Sequence, residues 1–107
     1  MLSSVALECI AYQLADERED CELKGGRVNS WDARRWVIKD SVYVPVEDPE
    51  AWVERSANIG NDVKHPDRDE PEFLDMFNTL RENVLVMRCW LAGRLGVDAE
   101  TLARRAK

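Results

Sequence analysis

The sequence predicts an all-α domain built from four or five helices. Apolar residues recur at helical spacing in several segments, and residues that favour helix starts precede those segments. The one β-branched run, residues 41–46, has no second strand to pair with, so we expect an ordered loop there. A length of 107 residues suits a single domain, spanning residues 1–107.

The first three helices follow from spacing and capping signals. The first is expected over residues 2–17, with Ser3 or Ser4 as its cap. Asn29 and Ser30 stand where an N-cap belongs, before the short segment WDARRWVIKD. Asp48 followed by Pro49 and an acidic residue starts a third helix that should run to about residue 65.

A long fourth helix is predicted from Pro71 to Gly96. Its apolar residues recur in steps of four and three, which is typical of a face packed on neighbouring helices. We therefore expect a buried row on this helix, made of Phe77, Leu80, Val84, Met87 and Leu91. Asp98 is the expected cap of a final short helix that ends near residue 106.

Composition restricts the function classes. The net charge of −6 argues against non-specific binding to nucleic-acid phosphates, and Arg34-Arg35 and Arg104-Arg105 are expected on solvated faces. Three cysteines without a CxxC pair, and one histidine, predict neither a closed zinc site nor another cofactor. Unpaired thiols and the lack of a membrane-length apolar run lead us to expect a cytoplasmic protein that does not enter membranes.

The segment IGNDVKHPDR holds the single histidine, His65. Asn61 precedes it by four residues, so both side chains can share one helix face, with Lys64 and Arg68 nearby in sequence. An imidazole can transfer a proton near neutral pH, and a cation can stabilise a charged phosphorane. The alternative is structural, because a histidine before proline at a helix end often caps the last carbonyls.

This segment, with the first helix and the long fourth helix ending in Leu-Gly-Val, resembles a HEPN domain of the type at the C-terminus of ApeA-like bacterial defence proteins. The family motif is Arg-Asn-x-x-x-His, and the corresponding stretch here runs from Gly60 to His65. Leu7 and Glu8 are similar to the family's opening Leu-Glu pair. Such domains end longer proteins, so this chain is expected to be a single domain on its own or within a longer protein.

The resemblance implies a helical bundle that forms a homodimer and, in active members, cleaves RNA without a metal in anti-phage defence or toxin–antitoxin systems. Carried over by position, Asn61 and His65 match the motif, and Glu8 matches an acid that orients it. Gly60 replaces the motif arginine, so Lys64 and Arg68 are the candidate substitutes, and Gly60→Arg is expected to raise activity. The alternative function is a non-catalytic module that dimerises or binds a partner protein or ligand.

Overall fold

A computed structural model of the chain describes residues 2–64 and 72–105, and these ranges form an all-α structure. Within them there is no β-strand, and residues 41–46 form a loop, as the sequence predicts. An isolated bridge between Lys24 and Arg27 is the one extended pairing in the described ranges. The helices are α1 (Leu2–Glu17), α2 (Ser30–Asp40), α3 (Pro49–Lys64), α4 (Phe73–Arg94) and α5 (Ala99–Arg105).

Side-chain caps fix the starts of α2, α3 and α5. Asn29 accepts a hydrogen bond from the amide of Asp32, at 2.7 Å. Asp48 and Asp98 do the same for the amides of Ala51 and Thr101, at 3.1 and 2.8 Å. Each interaction satisfies an amide that has no partner within its helix, so the predicted starts of these three helices are confirmed.

The end of α4 is a Schellman motif. Gly96 has φ +98°, a conformation that glycine adopts without strain. Its amide donates to the carbonyl of Gly93, and the amide of Val97 donates to that of Ala92. Two carbonyls of the last turn are thereby satisfied, and the predicted end near Gly96 is confirmed.

Helices α1 to α4 all pack on one another, whereas α5 contacts α4 alone among the described helices. Trp52 is fully buried, while Trp31, Trp36 and Trp90 are partly buried against the core. The chain therefore encloses one of its four indole rings completely. The centre of the bundle is made of Leu7, Leu14, Cys21, Val37, Trp52, Val53 and Val86.

The prediction for the buried face of α4 was wrong. Phe77, Leu80 and Leu91 are exposed, and Val84 and Met87 are only partly buried. The buried face lies about a quarter turn or more away and consists of Thr79, Asn83, Val86 and Cys89. The helix is held in this orientation by polar contacts, because buried Asn83 accepts hydrogen bonds from Trp52 and Ser56 and donates to Ser3.

The predicted cap of α1 was also wrong. Ser3 and Ser4 lie inside the helix and are buried, with their hydroxyls bonded to Asn83 and Arg34. In the part of the chain that the structure describes, no helix combines the length and the apolar character that a membrane span requires.

Candidate functional site

The predicted site residues fall at the end of α3, and only some of them are described. Asn61 lies on the last turn and is partly buried. Lys64 is the last residue of α3, and its side chain is outside the described part of the chain. His65 and Arg68 also lie outside the described residues, so their predicted positions are not tested.

Glu8 and Asn61 meet at a third side chain, that of Ser30. The hydroxyl of Ser30 is 3.1 Å from Oδ1 of Asn61 and 3.5 Å from Oε1 of Glu8. These residues come from α3, α2 and α1, so three helices contribute to one polar group of side chains. We call it the Glu8–Ser30–Asn61 cluster.

The proton of Ser30 decides how this cluster is connected. A hydroxyl carries one proton and donates to one oxygen at a time. Ser30 is placed to donate to Oδ1 of Asn61 at 3.1 Å, with Oε1 of Glu8 at 3.5 Å as the other acceptor within reach. The hydroxyl of Ser30 thus lies between the side chains of Glu8 and Asn61.

Arg34 lies behind the cluster and is fully buried, so the expectation of a solvated Arg34-Arg35 pair was wrong for its first residue. Its guanidinium donates to the carbonyl of Ser30 at 2.9 Å, to the hydroxyl of Ser4 at 2.9 Å and to that of Ser56 at 2.7 Å. Burial lowers the pKa of Arg34 to about 10, and the negative charge of Glu8 opposes this shift. Arg34 is therefore still a cation at neutral pH, fixed between α1, α2 and α3.

Gly60 faces this buried guanidinium and not the solvent. A Cβ placed on Gly60 would lie 2.6 Å from the hydroxyl oxygen of Ser4 and 3.2 Å from Nη2 of Arg34. Real Cβ atoms essentially never approach a neighbour as closely as 2.6 Å. The position that corresponds to the motif arginine thus points into the bundle, where a cation from α2 already lies.

Arg55 is engaged elsewhere. Its guanidinium pairs with Glu82 of α4, with distances of 2.7 and 2.8 Å to the two carboxylate oxygens. This ion pair ties α3 to α4.

The thiols do not form a reactive centre with the cluster. Cys21 and Cys89 are buried, and burial is the main cause that raises the pKa of both thiols. Cys9 is exposed on α1. Among the described residues, no group of three or more His, Cys, Asp or Glu side chains is arranged to hold a metal ion.

The sequence indicates Glu8 and Asn61, which the structure brings together at Ser30, but neither Ser30 nor Arg34 is predicted from it as part of a site. Ser30 was considered only as a helix cap, although its place at the start of α2 also aims it at a neighbouring helix. Arg34 follows Trp31 by three residues and precedes Ile38 by four, so it shares a row with two apolar side chains. That spacing was the signal that Arg34 faces inward.

Comparison of the chain with protein-family models, with curated proteins and with solved structures finds no match. The likeness to HEPN domains accordingly rests on the residues quoted above.

Proposed function

We propose that the chain is a HEPN-like, metal-independent endoribonuclease. The observation that supports this proposal is the Glu8–Ser30–Asn61 cluster, whose Asn61 lies on the last turn of α3. His65 comes immediately after that helix in the chain. Polar groups from three helices thus converge where the sequence supplies its single group able to exchange a proton near pH 7.

In the proposed reaction His65 accepts the proton of a ribose 2′-hydroxyl in RNA. The 2′-oxygen bonds to the adjacent phosphorus, the bond from phosphorus to the 5′-oxygen breaks, and that oxygen receives a proton. Asn61, held by Ser30, positions the motif or contacts the phosphate through its amide. The products are a 2′,3′-cyclic phosphate and a free 5′-hydroxyl.

The transition state carries extra negative charge on the phosphate oxygens, which a nearby cation stabilises. Lys64 and Arg68 are the cations nearest to His65 in sequence and are our candidates for this role. Arg34 is unsuited because it is fully buried, and Arg55 because it pairs with Glu82.

A homodimer is part of this proposal, and an apolar surface of α4 supports it. The surface, which we call the α4 stripe, is the row Phe73, Phe77, Leu80 and Leu91 of α4 together with Leu95 just after it, whose members are between 41% and 81% exposed. Partly buried Val84 and Met87 connect Leu80 to Leu91. Contiguous exposed apolar residues mark interaction surfaces more often than ordinary surface. A two-fold contact through this row would place two copies of the site in one particle.

The second candidate function is a non-catalytic, HEPN-like module that dimerises or binds a partner. The packing around Gly60 favours it, because the position of the motif arginine is closed off by Ser4 and Arg34. The two candidates share the α4 stripe and differ in whether the cluster takes part in RNA cleavage.

The test is cleavage of an unstructured, end-labelled single-stranded RNA in the presence of EDTA. We expect wild type to cleave, His65→Ala to be inactive, and Asn61→Ala to lose about a hundredfold in rate, as for loss of one donor to the developing charge. Asn58→Ala is the matched control, because Asn58 is an exposed residue one turn earlier on the same helix. If folded wild type leaves the RNA intact, the enzyme proposal is wrong and the module remains.

A further inference from the structure

A second surface feature lies beside the cluster, at the start of α2. It is a cleft of about 300 Å³, which is at the lower end of the range for ligand pockets. The side chains that matter for its chemistry are Glu22, Lys24, Arg27, Asn29, Asp32 and Trp36.

Two of these residues carry like charges and are paired through their backbones. Lys24 and Arg27 flank a two-residue turn of Gly25 and Gly26, whose φ values are +60° and +74°. The amide of each donates to the carbonyl of the other, at 2.9 and 3.1 Å. Residues paired in this way carry their side chains on the same face, and like charges directly opposite each other are destabilising. A bound anion between them would remove that cost.

The charges of Lys24 and Arg27 have no carboxylate partner in the part of the chain that the structure describes. Both side chains are exposed. Of the other cations on the described surface, Arg81, Arg88, Arg104 and Arg105 also have no carboxylate partner among the described residues. Those with one are Arg18, Arg35, Lys39, Arg55 and Arg94.

The acidic residues of the cleft do not fully neutralise the charges of Lys24 and Arg27. Asp32 accepts a hydrogen bond from Asn29 at 3.1 Å and lies 3.6 Å from the guanidinium of Arg35, which also pairs with Glu50, so the charge of Asp32 is partly matched. Glu22 is exposed, and a carboxylate can accept hydrogen bonds from the amino edge of a base. Trp36, which is partly buried, adds an indole ring on which a base can stack.

The cleft and the candidate site adjoin in the chain. Asn29 lines the cleft, and the next residue, Ser30, belongs to the Glu8–Ser30–Asn61 cluster. A strand that crosses the cluster can therefore continue into the cleft. We infer that the cleft binds one nucleotide of a single-stranded RNA, with its phosphate between Lys24 and Arg27 and its base against Trp36. This inference rests on the proposed function, since it gives the substrate a second contact.

The experiment measures binding without cleavage, using the His65→Ala chain and a fluorescein-labelled, unstructured single-stranded RNA followed by fluorescence anisotropy. Lys24→Ala with Arg27→Ala should weaken binding about tenfold or more at low salt. It should also reduce the slope of log K against log salt by about 0.7, the value for one phosphate contact on a single strand. The matched control is Arg104→Ala with Arg105→Ala, which removes the same charge from exposed positions on α5.

Binding that falls equally in both double variants, or in neither, overturns the inference, as does a lack of binding by the His65→Ala chain.

Heteronuclear NMR tests the base contact: RNA should move the indole signal of Trp36, whereas inorganic phosphate at equal ionic strength should leave it in place. Equal movement by both would refute stacking on Trp36. If wild type cleaves RNA but the Lys24 and Arg27 double variant binds RNA as well as its parent does, the inference about the cleft is refuted and the proposed enzyme is not. If the protein binds RNA through the cleft but wild type does not cleave it, the proposed enzyme is refuted and the inference about the cleft is not.

Discussion

Arg34 occupies the space beside Gly60 that a side chain at position 60 would need. The 3.2 Å between Nη2 of Arg34 and a Cβ built on Gly60 is closer than most real contacts of a Cβ atom. The two residues belong to different helices, α2 and α3, so the small size of Gly60 lets these helices approach with a guanidinium between them. This packing determines what Gly60→Arg, the substitution that the family motif suggests, would do to the protein.

Gly60→Arg should destabilise the protein and not raise its activity. The new side chain would have to displace Ser4 and bring a second guanidinium against Arg34. Overpacking alone costs about 1–3 kcal/mol, and two buried cations in contact add to that. We expect a loss of at least about 3 kcal/mol in the free energy of unfolding, measured by urea denaturation.

A smaller substitution at position 60 tests the effect of crowding without the effect of an added charge. Gly60→Ala places only a methyl group against Ser4, and Ser4→Ala removes the atom that it meets at 2.6 Å. The double variant should therefore lose less stability than the sum of the two single variants. A Gly60→Arg chain that melts like wild type and gains RNA cleavage would show that position 60 faces the site.

Arg34→Met should be destabilising because it removes the donor to two buried hydroxyls and one part-buried carbonyl. The carbonyl of Ser30 and the hydroxyls of Ser4 and Ser56 all accept from this guanidinium. Each buried polar group left without a hydrogen bond costs about 1–3 kcal/mol, measurable as a lower urea midpoint.

Arg35→Met is the matched control for Arg34→Met, since it removes the neighbouring arginine from the same helix. Arg35 is exposed and pairs with Glu50 on the surface, so we expect little change in stability. Equal effects of the two substitutions would contradict a structural role specific to Arg34.

The helices of this chain were predictable because their start and end signals are local. Asn29, Asp48, Asp98 and Gly96 act within a few residues of their own position, and all four behave as the sequence indicated. Capping depends on backbone amides and carbonyls that every helix end presents, so it needs no knowledge of the neighbouring helices.

The buried face of α4 was not predictable in the same way. The longest apolar row pointed to Phe77, Leu80 and Leu91, but Asn83 and Thr79 are buried instead. Asn83 is accepted in the core because Trp52, Ser56 and Ser3, from two other helices, satisfy its amide. The spacing of apolar residues within one helix gives no information about hydrogen-bond partners on other helices. For the same reason it does not reveal that Ser30 lies between Glu8 and Asn61.

Acid should weaken the protein partly through Asp40. Its carboxylate accepts hydrogen bonds from Arg18 at 2.9 Å, from Trp90 at 2.8 Å and from Arg94 at 3.2 Å. Burial raises the pKa of Asp40, but the bonds from Trp90, Arg18 and Arg94 outweigh it and leave the pKa below its ordinary value. A carboxyl whose pKa is lower in the folded state stabilises the fold above its unfolded pKa of about 3.9. That stabilisation is lost as the pH falls from there through the folded value.

Asp40→Asn should therefore cost about 2 kcal/mol near neutral pH, the scale of a hydrogen bond to a charged group, and progressively less below about pH 4. The measurement is the urea midpoint of wild type and variant across that range. Asp16→Asn removes the same charge from an exposed position on α1 and should leave the pH dependence unchanged. A difference between Asp40→Asn and wild type that stays constant down to pH 2 would contradict this role for Asp40.

The exposed α4 stripe predicts that the protein assembles as a homodimer. We expect light scattering at micromolar concentration to give twice the monomer mass of 12.3 kDa. Leu91→Asp puts a charge on the stripe, at a side chain that is 52% exposed and therefore replaceable without opening the core. A central interface residue is typically worth about 2 kcal/mol or more, so the dissociation constant should rise about thirtyfold.

Leu74→Asp is the matched control, because Leu74 is an exposed leucine of α4 that lies about a quarter turn from the stripe. It should dimerise as wild type does, and both variants should keep the helical circular dichroism spectrum. If both substitutions weaken the dimer equally, the contact is not made through the stripe. If wild type is a monomer at every concentration tested, the dimer fails, and two copies of His65 cannot share one cleft in the isolated chain.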